Sequence, residues 1–205
     1  MRGRFISLEG GEGVGKSTQL VALADALRAE GREVVITREP GGSAGAEAIR
    51  GLLLRGDADR WSPRAEALLF AAARADHLAK TIVPALERGA WVISDRFLDS
   101  SLAYQGGAGG LGIDAVRALH EFGSEGALPD RTLLLQLSDG AARAVERDGG
   151  ASDRIGGRSP EFHRAVDAAF RQLAAHEPER VRPIDASGTP AQVTERLLEA
   201  IADLR

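Results

Sequence analysis

The sequence predicts an α/β fold in which a five-stranded parallel sheet carries helices on both faces. Three observations predict it. Short apolar segments of strand character alternate with segments of helical period along the chain, an order that pairs strands in parallel through helical crossovers. The first strand segment runs into Gly10-Gly11-Glu12-Gly13-Val14-Gly15-Lys16-Ser17, which satisfies G-x-x-x-x-G-K-[ST] at every fixed position and opens a helix. Charged residues then gather where later strands end, at Arg38 and at Asp95-Arg96, the carboxyl edge where ligands collect in such sheets. Strand, phosphate loop and helix in that order are those of the P-loop NTPase fold. We expect residues 1–205 to form one domain.

Each element has a local reason. Arg4 to Glu9 reads as a buried strand, and Leu20, Leu23, Ala24 and Leu27 recur at helical spacing up to Gly31, which is placed to cap the helix. Arg32 to Thr37 is the second strand, and Arg38-Glu39-Pro40-Gly41-Gly42 forces a loop. A short helix follows over Ala46 to Leu54. Ser62-Pro63 supplies an N-cap and a proline at the first helical position for a long helix that stops at Gly89. Its apolar stripe is Ala65, Leu68, Leu69, Ala72, Ile82 and Val83, and Pro84 is expected to kink it. Trp91 to Ser94 is the third strand. Gly106 to Gly112 is too glycine-rich for regular structure, and Ile113 to Phe122 is again helical. Thr132 to Leu137 is a strand, about 138–147 a helix, and 148–158 polar and arginine-bearing. Ser159-Pro160 starts another helix, Val181 to Ile184 is the fifth strand, and Thr189 to Gln192 has capping-box spacing for the last helix.

Composition excludes several classes. A hydrophobic share of 43% with 27% charged residues is that of a globular chain rather than a disordered one. No apolar run approaches the ~20 residues that span a bilayer, so we expect a cytoplasmic protein without a membrane partner. The net charge of −4 argues against a non-specific nucleic-acid binder, so anionic ligands must be met by local arginines. There is no cysteine, and the four histidines (His77, His120, His163, His176) lack metal-ligand spacing.

The chemistry begins at the loop. Its glycines let backbone N–H groups turn toward a phosphate, Lys16 can reach the outer phosphates, and the Ser17 hydroxyl, with Thr18 behind it, heads the helix where Mg²⁺ is ligated. Asp95 is positioned like the acidic residue that holds Mg²⁺ in nucleotide enzymes of this kind. Phe70 and Arg74 lie four apart, so an aromatic face and a guanidinium share one side of the long helix, where a base can stack and hydrogen-bond.

These motifs resemble the bacterial thymidylate kinases over nearly the whole chain. The resemblance is carried by Phe5 to Gly10 with the loop behind it, Thr37-Arg38-Glu39-Pro40-Gly41-Gly42, Leu68 to Arg74, Ser94-Asp95-Arg96-Phe97, Ser100 to Gly106, Asp153-Arg154-Ile155 and Ile184 to Ser187. It implies transfer of the γ-phosphoryl of ATP to dTMP, giving dTDP and ADP, with Mg²⁺ and in a homodimer. Carried over, residues Gly10 to Thr18 with Ala186 and Ser187 bind ATP. Phe70 stacks on thymine, Arg74, Ser101 and Gln105 lie on the dTMP side, and Tyr104 crowds out a 2′-hydroxyl. Arg38 and Arg96 hold the acceptor phosphate, near Glu12. Lys16, Arg96, Arg154 and Arg147 are the catalytic cations, with Arg154 expected to swing in as an arginine finger and Arg147 as second choice. The resemblance also implies that the polar segment at about 148–158 is the family's mobile LID, and one departure is visible there: Gly156-Gly157 stands where an acidic residue commonly follows Asp-Arg-Ile.

Two other readings stay open on the residues alone. A kinase for another nucleoside monophosphate would share the loop, and a nucleotide-driven switch would use it without a small-molecule acceptor. Strand three ends in Asp95-Arg96 with no second carboxylate beside it to position a water.

Overall fold

The computed structural model describes residues 2–57, 59–137 and 153–205. Five parallel strands, β1 (Phe5–Glu9), β2 (Val34–Arg38), β3 (Trp91–Asp95), β4 (Arg131–Gln136) and β5 (Val181–Asp185), pair in the order β2-β3-β1-β4-β5. Each strand exposes alternate side chains to two cores, because successive residues point to opposite faces. Phe5, Val92, Leu134 and Val181 bury one way, and Ile6, Leu8, Ile93, Leu133 and Ile184 the other. The second core is closed by α1 (Lys16–Ala29) and α8 (Pro190–Ala200), which supply Leu23, Leu27, Val193 and Leu197. The first is closed by α4 (Val83–Glu87), α6 (Ile113–Ser124) and α7 (Pro160–His176), among others, through Leu86, Val116, Phe170 and Leu173. The expected architecture of a five-stranded parallel sheet with helices on both faces is present. The expected helix at about 138–147 and the LID residues 148–152 lie outside the described residues.

The predicted caps form. Ser62, Ser159 and Thr189 each accept a hydrogen bond from the backbone three residues on, and Thr189 and Gln192 complete the reciprocal capping box. A cap that sequence reading passed over is Ser43, which starts α2 (Ala44–Leu54) two residues earlier than expected.

Three expectations meet a different local structure. Just before Pro84 the helix after Ser62 changes its winding: α3 (Pro63–His77) passes through a π-helical turn, Leu78–Ile82, into α4. Its inward face is only partly the apolar stripe. Ile82 is buried as expected, but so are Glu66, Arg74 and His77, while Leu68 is 55% exposed and Ala72 faces outward. Periodicity assigns apolar residues to the inside, but this helix also buries polar groups that find partners on other segments. Finally, regular structure extends into the glycine-rich stretch. After α5 (Leu98–Ser101) the chain continues as a π-helical segment, Leu102–Ala108.

Candidate active site

The phosphate loop leaves β1 at Gly10. A Cβ at Gly10, with φ of 134°, would sit 2.4 Å from the Leu135 carbonyl oxygen, so only glycine lets the loop press against the end of β4. Val14 anchors the loop from below in the same core as α1. Lys16 is buried at the head of α1 and donates from Nζ to the carbonyls of Gly10 (3.2 Å) and Gly11 (2.6 Å), folding back over the loop. Burial, with Arg96 close by, lowers its ammonium to about 8. Ser17 and Thr18 are exposed and line the cavity beyond the loop. Asp95, on the strand beside β1, lines the same cavity, and its Oδ1 is buried without a hydrogen-bond partner among the described residues. It caps no helix, since α5 has no side-chain cap.

Arg96 follows with φ of 71°, a left-handed conformation that costs a non-glycine residue about 1–3 kcal/mol unless its surroundings over-determine it. They do. Its N–H donates to the Leu8 carbonyl and its own carbonyl accepts from the Ser94 hydroxyl at 2.7 Å. The buried Glu9 carboxyl accepts from the next amide, Phe97 N–H, at 2.7 Å and from Ser100 Oγ at 2.6 Å. The Arg96 guanidinium donates to the Gly10 carbonyl (3.1 Å), to Ser100 Oγ (3.0 Å) and to Glu12 (2.7 Å), and lies 5.2 Å from the Tyr104 ring centre. Burial alone would raise the Glu12 carboxyl, but Arg96 and Lys16 outweigh it and hold it below the usual carboxylate range. Burial pushes the Tyr104 phenol up to about 12, which keeps it a neutral donor, and its OH points at Glu12 from 3.4 Å.

The far wall is made by α3 and the π-helical segment. Phe70 lines the cavity beside Arg74, as their spacing predicts. Arg74 donates from Nε to Glu39 (2.8 Å) and from Nη2 to Ser101 Oγ (2.7 Å) and the Phe97 carbonyl (3.2 Å). The second Glu39 oxygen meets His77 Nδ1 at 3.0 Å, and His77 Nε2 meets Thr37 at 2.6 Å. Gln105 donates from Nε2 to Glu66 Oε1 at 3.0 Å, while Arg154 and Arg158 share Glu66 Oε2.

A cavity of about 450 Å³ thus brings together Glu12, Gly13, Gly15, Lys16, Ser17, Thr18, Arg38, Phe70, Arg74, Asp95, Arg96, Ser101, Tyr104 and Gln105. Gly10, Gly11 and Val14 do not line it. Ala186 and Ser187 lie past the end of β5, where Ser187 bonds to Asp185, and they do not reach this cavity. Arg38 reaches it but pairs with Glu47 at the head of α2. Arg154, expected to swing in as an arginine finger, is 6% exposed here and bound to Glu66 and to the Leu53 carbonyl, outside the cavity wall. Arg147 lies outside the described residues. Sequence reading missed Glu39, Arg50, Phe97, Ser100 and Asp153 as wall residues. The signal for Glu39 was present in its loop motif, whereas Arg50 sits in an ordinary amphipathic helix that gives none.

Residues 8–197, which hold all of this geometry, match the family model described as "Thymidylate kinase". The chain belongs to the thymidylate kinase family. Its relatives include thymidylate kinases of Rhizorhabdus wittichii, 65% identical over 100% of this chain and 99% of the relative, and of Caulobacter vibrioides, 48% identical over 98% and 96%. The crystal structure of thymidylate kinase from Ehrlichia chaffeensis superimposes with a TM-score of 0.80 at 29% identity, covering 98% of this chain and 99% of that one. Thymidylate kinases share the sheet seen here, so the loop, Asp95-Arg96 and the α3 wall occupy one edge of a known fold.

Proposed function

We propose that the cavity is where ATP and dTMP meet, and that its residues transfer the γ-phosphoryl to dTMP, the activity of thymidylate kinases. The observation that carries this reading is Arg96, strained and fully ligated between the phosphate loop on one side and the Tyr104 wall on the other. A cation at that point faces both the donor and the acceptor phosphate. The dTMP phosphate, with a second pKa of about 6, is a dianionic nucleophile at neutral pH. No strong base is required, so positioning and charge neutralisation carry the reaction.

In this reading the loop amides and Lys16 hold the ATP phosphates and Arg96 holds the acceptor phosphate, oriented by Glu12. Arg38 meets that phosphate after leaving Glu47. Phe70 stacks on thymine, Arg74 and Gln105 face its polar edge with Ser101 beside them, and Tyr104 closes the space at the 2′ carbon. The buried, unpartnered oxygen of Asp95 and the exposed Ser17 hydroxyl fit a Mg²⁺ ion and its waters, and the ion would neutralise charge on the ATP phosphates. In the described arrangement Arg154 is paired with Glu66, and Lys16 and Arg96 stand at the transferring group. Leu68 and Phe122, 55% and 92% exposed on α3 and α6, supply an apolar face for a homodimer. Among the described residues no helix is long and apolar enough to cross a membrane, and we place the reaction in the cytoplasm.

A coupled ADP-release assay across dTMP, dUMP, dCMP, dGMP and AMP tests the reading. The expected result is a clear preference for dTMP and little ADP without an acceptor. ATP hydrolysis that ignores the acceptor would overturn it.

A further inference from the structure

Two buried carboxylates support the base-facing wall, Glu39 at its lining and Glu66 behind it. Glu39 is 6% exposed and Glu66 2%. Each touches one of the two residues whose polar ends face the base, and each leaves that residue only one way to face the cavity.

Arg74 has five N–H donors in a fixed plane. Glu39 takes the Nε hydrogen, and Ser101 Oγ with the Phe97 carbonyl takes Nη2. Nη1 is the end left to the cavity, and it can only donate. The Glu39 carboxylate is itself fixed from behind by His77, which is fully buried and leans on Thr37. Gln105 is the opposite case. Its amide has a donor end and an acceptor end, and in isolation either could face a ligand. Glu66 between two guanidinium groups accepts hydrogen bonds and has none to give, so the amide must turn its NH₂ toward Oε1 of Glu66. The carbonyl oxygen is then the end presented to the cavity, and it can only accept.

We infer that Glu39 and Glu66 are positioning residues that write a donor–acceptor code on the base wall, Arg74 as donor and Gln105 as acceptor. The inference rests on the placement of the base proposed above. Thymine presents the complement, an acceptor at O4 and a donor at N3–H. Cytosine presents the inverse, an amino donor at C4 and an acceptor at N3, so both contacts would be mismatched. Uracil has the same edge as thymine on these two atoms. The code therefore separates keto from amino pyrimidines and is silent on the methyl group.

The test is kcat/KM for dTMP, dUMP and dCMP in wild type, Glu39→Gln and Glu66→Gln, with Arg158→Gln as a control. A neutral amide at position 66 no longer dictates which end of Gln105 faces the base, and one at position 39 no longer holds the Arg74 fork in place by charge. We expect the dTMP to dCMP preference to fall about tenfold in each carboxylate variant, with the dTMP to dUMP ratio held within about twofold. The dUMP arm is what a merely structural role would not reproduce, since general loosening of the wall would move all ratios. Arg158→Gln removes one Glu66 contact but leaves Gln105 bonded, and should keep both ratios. The two carboxylate variants are independent, so one that fails to fold leaves the other decisive. Loss of rate on all three acceptors in parallel, at unchanged preferences, would overturn the code, as would Arg158→Gln shifting the dCMP preference as far as Glu66→Gln. A wild type without preference for dTMP over dCMP would instead sink the substrate reading, and the inference with it.

Discussion

Across one cavity face two regions that are made in different ways. The phosphate loop spans eight consecutive residues and offers mainly backbone, shaped by glycines and by one buried valine. The opposite wall is made of side chains drawn from separated segments: Glu39 after β2, Glu66, Phe70 and Arg74 on α3, and Arg96 to Gln105 after β3. The loop needs little from the rest of the chain, because its conformation is set by local φ values and by contact with the end of β4. The wall exists only once the sheet has formed, since its groups are satisfied by one another through buried hydrogen bonds across 23 to 39 positions of sequence. A backbone site suits a ligand part common to many nucleotides. A side-chain site suits the part that must be told apart.

This contrast predicts that loop substitutions act on every acceptor alike, while wall substitutions act on the choice between them. The largest effect is expected for Lys16→Ala, a loss of about 10³ in kcat with dTMP and dUMP equally; single-turnover rates with both acceptors check it, and unequal losses would break the contrast. Arg96→Ala, at the seam of the two regions, should lower kcat/KM by about 10², again without changing the order of acceptors. Tyr104→Ala belongs to the wall alone. It should raise relative activity on ribothymidine monophosphate about tenfold, read as the ribo to deoxy ratio of kcat/KM.

Two smaller effects concern stability. In Gly42→Ala the new methyl, at φ of 87°, would sit 2.4 Å from both His77 Nε2 and Thr37 Oγ1. Thermal denaturation should show a loss of about 1–3 kcal/mol, and base preference should shift with it because the same His77 supports Glu39. Glu9 gives an effect that depends on pH. Burial, with Asp99 nearby, pushes its carboxyl up to about 8, above the 4.5 of an exposed glutamate. A folded-state value above the unfolded one contributes stability that is complete below pH 4.5 and lost as pH rises through 8. Relative to wild type, Glu9→Gln should therefore gain Tm between pH 5 and pH 8. A difference that is flat with pH would remove this assignment.

How much of this was legible in the sequence follows the same division. The strands, the loop, the proline-led helix starts and the capping box were readable because each is fixed by neighbours in sequence. Phe70 and Arg74 were readable because helical spacing alone puts them together. The buried roles of Glu39, Glu66 and His77 were not, since a charged or polar residue is assigned to solvent until its partner from another segment is known. The same rule misjudged Leu68 of α3, which faces out. Nor does spacing reveal that Arg154 meets a carboxylate 88 positions away.

The π-helical segment Leu102–Ala108 holds one more residue per turn than an α-helix would. Such a segment reads as an insertion that the fold has absorbed without breaking the helix. Deleting one residue from it would restore ordinary winding and leave the hydrophobic anchors Leu102 and Ala103 in place. The remaining residues of the segment itself would shift by one position, about 100° around the axis, and Tyr104 and Gln105 could no longer both look into the cavity. A length change of one residue here would spare the architecture and erase the selectivity, which makes this turn the point where the chain is most tolerant as a fold and least tolerant as an enzyme.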